Sequence, residues 1–93
     1  MRKAAKTDKN QTEVVNALRQ VGASVQSLAA IGKGCPDLLV GYRGINYLME
    51  VKDGEKPPSA RELTIDQIDW HNVWRGSVHV VKSTDEALLI LKG

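Results

Sequence analysis

Residues 34–52 read Gly34-Cys35-Pro36-Asp37-Leu38-Leu39-Val40-Gly41-Tyr42-Arg43-Gly44-Ile45-Asn46-Tyr47-Leu48-Met49-Glu50-Val51-Lys52. Gly32-Lys33-Gly34 is a flexible approach to this stretch, and Pro36 starts a strand. Leu38, Leu39 and Val40 form a continuous apolar run, the pattern of a strand buried on both faces. Arg43-Gly44 supplies a tight turn. Ile45 to Lys52 is then a second strand, antiparallel to the first. Alternation puts Tyr47, Met49 and Val51 on one face and Leu48, Glu50 and Lys52 on the other. Glu50 and Lys52 therefore stand about 7 Å apart along one face. Twelve residues separate Asp37 from Glu50, and hairpin pairing brings the two acids toward one end.

The rest of the chain builds outward from this hairpin. Asn10 to Val21 carries apolar residues at Val14, Val15, Ala17, Leu18 and Val21, a helical spacing closed by Gly22. Asn10 and Glu13 have the spacing of a capping box. Ser24 to Ala29 predicts a short strand. Asp53 to Glu62, with Gly54, Pro57, Pro58 and Ser59, reads as an exposed loop. Thr64-x-x-Gln67 caps a second helix that runs to about Arg75 and ends at Gly76. Ser77 to Val81 is a short strand, and Ser83-x-x-Glu86 caps a last helix ending near Leu91. The order α-β-β-β-α-β-α, with a hairpin followed by a helical crossover, predicts an α/β fold: a mixed β-sheet flanked by helices.

The chain of 93 residues carries a net charge of +2 and no Phe. One domain, residues 10–93, follows from that length. Its core is thin, and aromatic packing falls to Trp70, Trp74, Tyr42 and Tyr47. No apolar run approaches a membrane span, so no membrane partner is expected. Cys35 is the only cysteine, which excludes an intrachain disulfide and fits a cytoplasmic, intracellular protein. Charge is uneven. Residues 1–9 form a basic tail in which Arg2, Lys3, Lys6 and Lys9 face only Asp8, for a balance of +3, while the remainder stands at −1. Such a tail neutralises phosphates, or merely keeps a terminus soluble.

Two carboxylates and an ammonium at one sheet edge suit a divalent cation and an activated water, chemistry that breaks phosphodiesters. Oxygen ligands alone favour Mg²⁺ or Mn²⁺ over zinc. The pattern Pro36-Asp37 … Glu50-Val51-Lys52 resembles the signature of the PD-(D/E)XK nuclease superfamily. Gly34-x-Pro36-Asp37-Leu38, the Glu50-Val51-Lys52 strand and Leu63-Thr64-x-x-Gln67-x-x-Trp70 together resemble the VRR-NUC family. The likeness runs from the first helix to the strand after Gly76.

The resemblance implies a restriction-endonuclease-like core. It makes Asp37 and Glu50 metal ligands, with the Val51 carbonyl a further one. Lys52 orients or deprotonates the attacking water. Glu13 matches an acid that completes the metal site in many members, or else caps the helix with Asn10. Gln67 points toward the site from the second helix, or else serves only as the capping partner of Thr64. Small stand-alone members resemble Holliday junction resolvases in being compact dimers. The expected function is thus a structure-selective DNA endonuclease acting on branched DNA such as four-way junctions, as a homodimer. Its alternatives are a non-catalytic DNA-binding module and a subunit that acts through dimerisation alone.

Outside this constellation the residues say less. Lys33, Arg61 and Lys9 are candidate contacts to DNA phosphates, each otherwise a solvated side chain. Trp70 and Trp74 share a helix face with Gln67 and are assigned to the core. His71 and His79 lack metal-ligand spacing with Cys35 and are assigned ordinary packing roles. Cys35 is assigned as a small buried residue.

Overall fold

The computed structural model describes residues 9–93, apart from the Ala60 side chain. Arg2, Lys3, Lys6 and Asp8 of the basic tail lie outside the described residues. Lys9, counted with that tail, belongs instead to the first helix. The elements are α1 (Lys9–Gln20), β1 (Ser24–Ser27), β2 (Leu38–Tyr42), β3 (Ile45–Val51), α2 (Pro58–Arg61), α3 (Ile65–Val73), β4 (His79–Val81) and α4 (Thr84–Lys92). The α/β reading with its mixed sheet holds. The one-turn α2 is an addition inside the stretch read as loop, where Pro57 and Pro58 preset the backbone of a first turn.

The sheet order is β1-β2-β3-β4. The first three strands pair antiparallel, and β4 joins β3 in parallel. A parallel neighbour requires a crossover, and α2 and α3 supply it. The β2–β3 turn has Arg43 at φ 52° and Gly44 at φ 81°, and Tyr42 pairs with Ile45 across it. Two consecutive positive φ angles give a type I′ turn, whose twist matches that of the strands. This two-residue loop locks the register, which pairs Leu38 with Met49. One step further on, Asp37 meets Glu50.

One face of the sheet carries the core. Leu38, Val40, Met49, Val51 and Val81 pack with Val14 and Leu18 of α1 and with Ala87 and Leu91 of α4. Burying each of the larger of these side chains contributes about 1.5–3 kcal/mol. Leu18 is wholly buried, so Leu18→Ala should cost about 2–5 kcal/mol. Val21, counted in the same helical stripe, falls beyond the helix and is 45% exposed. Tyr42 and Tyr47 pack at the core's margin.

The opposite face is only partly covered, which corrects two expectations. Leu39 is half-buried while Leu38 and Val40 are buried, so β2 alternates and is not enclosed on both faces. Trp70 and Trp74 stack on each other, with ring centroids 4.6 Å apart, but α3 contains no buried residue. They lie outside the core, since α3 covers the face away from α1 and α4. Asn10 also departs from its expected role. It lies within α1, and its side-chain amide donates to the Lys52 carbonyl at 2.7 Å, tying α1 to the end of β3. Among the described residues no helix is long and apolar enough to cross a membrane.

Candidate metal-dependent catalytic centre

Asp37, Glu50, Lys52 and Gln67 converge on the sheet face under α3. Asp37 precedes β2, and its Oδ2 accepts a hydrogen bond from the Val51 amide at 2.7 Å. That bond fastens the mouth of β2 to the end of β3 and fixes the carboxylate. Glu50 lies between Met49 and Val51, both buried, yet its side chain turns to the other face. It is the buried charged residue among an otherwise apolar set, 1% exposed. Its Oε2 accepts from Gln67 Nε2 at 3.0 Å. Its Oε1 is buried without a partner among the described residues.

Gln67 performs two tasks with one amide. Its Oε1 accepts from the Thr64 backbone amide at 2.9 Å and from Lys52 Nζ at 2.9 Å. The Thr64 hydroxyl accepts from the Gln67 backbone N–H in return, completing the capping box. Capping and site contact, read from sequence as alternatives, are therefore the same side-chain pose. The cap fixes which way the amide points: oxygen toward Lys52, nitrogen toward Glu50.

Electrostatics mark Glu50. Its carboxyl is pushed up to about 8 from an ordinary 4.5, first by burial, then by the neighbouring Asp37 carboxylate, against the lowering effect of Lys52. Burial disfavours the ionised form, and a like charge adds to the effect. The same carboxylates act on Cys35, whose thiol is raised chiefly by burial and then by Glu50 and Asp37. Cys35 is half-buried beside the acids, not enclosed as expected.

The donor set fits a hard divalent cation. A buried carboxylate oxygen without a partner is an atom that such an ion would satisfy. Asp37 and Glu50 would hold the ion. Mg²⁺ keeps several waters when bound, so two carboxylates suffice.

The loop before Asp37 docks onto α3. Gly32, Lys33 and Gly34 all adopt positive φ, at 69°, 56° and 84°, and the Cys35 amide closes the turn on the Gly32 carbonyl at 3.1 Å. Lys33 tolerates the left-handed region at some strain. At Gly34 the constraint is absolute. A Cβ there would overlap the Asp66 carbonyl oxygen and lie 2.5 Å from its carbon. Only glycine lets the strand entry approach the first turn of α3, which carries Gln67.

The remaining sequence candidates fall elsewhere. Glu13, Lys9 and Arg61 line a cavity of about 510 Å³ together with Asp53, Gly54, Glu55, Lys82, Ser83, Thr84 and Glu86. Among the described residues no three His, Cys, Asp or Glu side chains gather to hold a metal ion, so Glu13 does not join Asp37 and Glu50 in this conformation. Lys33 is exposed beside α3, where it lines a shallow hollow with Asp66, Asp69, Trp70 and Val73. Val51 is buried, and its amide holds the Asp37 carboxylate. His71, assigned an ordinary packing role from sequence, has a buried Nε2 without a partner among the described residues. Its spacing of four from Gln67 puts both on one helix face, and that was the available signal.

No family model matches the sequence, and no curated protein matches it. Among solved structures, one described as a VRR_NUC domain is similar at 28% identity, covering 90% of this chain and 91% of that one, with a TM-score of 0.66. The superposable fold and the Asp37, Glu50-Val51-Lys52 and Gln67 pattern thus point the same way.

Proposed function

We propose, from its similarity to a VRR_NUC domain structure, that this chain is a Mg²⁺- or Mn²⁺-dependent, structure-selective DNA endonuclease that hydrolyses phosphodiesters, preferably in branched DNA such as four-way junctions. The observation that carries the reading is the unpartnered, fully buried Oε1 of Glu50, across from Asp37 and linked through Gln67 to Lys52. An apolar core gains nothing from a buried carboxyl with one oxygen unsatisfied. A cation-binding centre requires one.

A divalent ion, when bound, polarises the phosphoryl oxygen and lowers the pKa of its water. The chain's own residues do the rest. Asp37 is held by the Val51 amide, so its carboxylate does not reorient as substrate enters. Gln67 keeps Lys52 and Glu50 at opposite ends of one amide. Lys52 thereby stands ready to orient the attacking water and to offset charge developing on the phosphate. Val51, through its carbonyl, and Glu13, after movement of α1 side chains, are proposed as further ligands. Lys33 on its exposed loop, Arg61 and Lys9 are proposed phosphate contacts. They would position the backbone without reading sequence.

We assign the active form as a homodimer in the cytoplasm. One such centre cuts one strand, and a C2 pair cuts a junction symmetrically. The outer side of α3 supports the assignment, with Ile65 77% and Val73 74% exposed. The test is cleavage of labelled four-way junction, flap and linear duplex DNA with Mn²⁺, beside Glu50→Ala. Paired junction cuts that vanish in the variant are expected. Equal cutting of all three substrates would remove the junction preference. Absence of cutting with binding intact would leave a binding module.

A further inference from the structure

Two buried polar atoms near Lys52 lack partners among the described residues: Glu50 Oε1, which the metal reading absorbs, and His71 Nε2, which it does not. Buried polar atoms without partners are few in native proteins and call for a physical account. His71 lies one helical turn beyond Gln67 on α3, on the same face. Its ring stands edge-on to Trp70, with centroids 5.9 Å apart, which limits how far it can swing. Burial and then the Lys52 ammonium both push this imidazole toward the neutral form. The second cause means that the ammonium lies within electrostatic reach of the ring. A neutral imidazole protonated at Nδ1 offers Nε2 as an acceptor. The Lys52 ammonium carries three donors, of which Gln67 takes one. An unfilled acceptor on α3 thus lies one turn beyond Gln67, the residue that holds the Lys52 ammonium.

We propose that His71 is a positioning residue for Lys52: its Nε2 accepts a second hydrogen bond from the Lys52 ammonium through one bridging water, and so fixes the amine over the site. This rests on the reading of Asp37, Glu50 and Lys52 as a nuclease centre. Gln67 alone leaves the ammonium free to rotate about a single contact. A second acceptor one turn on aims it.

The test compares His71→Leu, which removes the acceptor, with His71→Gln, which restores one near Nε2. With labelled branched DNA and Mn²⁺, the Leu variant should lose about tenfold in kcat with KM little changed, and the Gln variant should recover to within about threefold of the parent. Unchanged kcat in the Leu variant, or a Gln variant as poor as the Leu variant, would overturn the proposal. A second measurement needs no activity and no His71 variant. The imidazole of His71 is followed by NMR across pH, without metal or DNA, in the parent and in Lys52→Met. Removing the ammonium should raise the ring's titration midpoint by at least about 0.5 pH unit. An unmoved midpoint would refute the contact. A parent that cuts no DNA but shows the shift would sink the nuclease reading while leaving the His71–Lys52 pairing in place.

Discussion

Glu50 makes the metal-free protein sensitive to alkali, and Glu50→Gln should remove that sensitivity. Its carboxyl, ordinarily near 4.5, is raised to about 8 in the folded chain. Between those values the folded state keeps a proton that the unfolded chain has released. Stability therefore falls as pH rises through this window and is unaffected below it. The full difference corresponds to about 5 kcal/mol above pH 8. Relaxation and water penetration around the buried carboxyl reduce this to about 2–3 kcal/mol. For a domain of this size that is a fall of about 10–20 °C in Tm between pH 5 and pH 9. Gln cannot ionise, and its carbonyl oxygen still accepts from Gln67. The assay is thermal unfolding followed by circular dichroism in EDTA, from pH 5 to pH 9, for parent and variant. The parent curve should slope downward and the variant curve should stay flatter, so that the variant is the more stable protein at pH 9. Adding Mn²⁺ at pH 9 should restore the parent and leave the variant unmoved, because the ion binds the ionised carboxylate. Parallel pH profiles for the two proteins would refute the reasoning.

Gly34→Ala should cost about 3 kcal/mol or more, because the new methyl meets the Asp66 carbonyl and the position has positive φ; urea titration measures it, and a loss under about 1 kcal/mol would mean that the loop and α3 are not in contact. Lys52→Met should lower cleavage by about 10²–10⁴-fold while DNA binding at fixed salt is retained. Gln67→Ala should show a mixed effect: about 1 kcal/mol from the lost cap together with a fall in kcat, since the same amide holds Lys52. Trp74→Ala should cost only about 1 kcal/mol, the value of a stacked pair at the surface; a loss above about 3 kcal/mol by chemical denaturation would show the ring to be part of a core.

Asp37, Glu50 and Lys52 were legible because strand alternation and a two-residue turn are local properties. Once Tyr42 pairs with Ile45, the arithmetic of the hairpin sets Asp37 across from Glu50. The caps of α3 and α4 were legible for the same reason, as Thr64 and Ser83 each bond an amide three residues on. Gly34 was visible as a glycine but not as a contact. Its close approach to Asp66 spans thirty-two positions of sequence. The tryptophans were misjudged because helical spacing shows that Trp70 and Trp74 share a face, not whether that face meets the thick core or the open side of the sheet. Glu13 was placed by motif, and α1 instead turns it toward the cleft with Lys9 and Arg61.

The sequence by itself determined the order of elements, the hairpin register and the identity of the acids and the lysine that share one strand end, since each depends on neighbours within a few residues or on a single tight turn. Only the tertiary structure decided how deeply Glu50 is buried, that the Gln67 amide serves cap and site at once, and that His71 Nε2 is buried without a partner among the described residues. Those properties arise where α3 folds back over β3. Burial and electrostatic coupling depend on distance in space, which the spacing of letters along the chain does not carry.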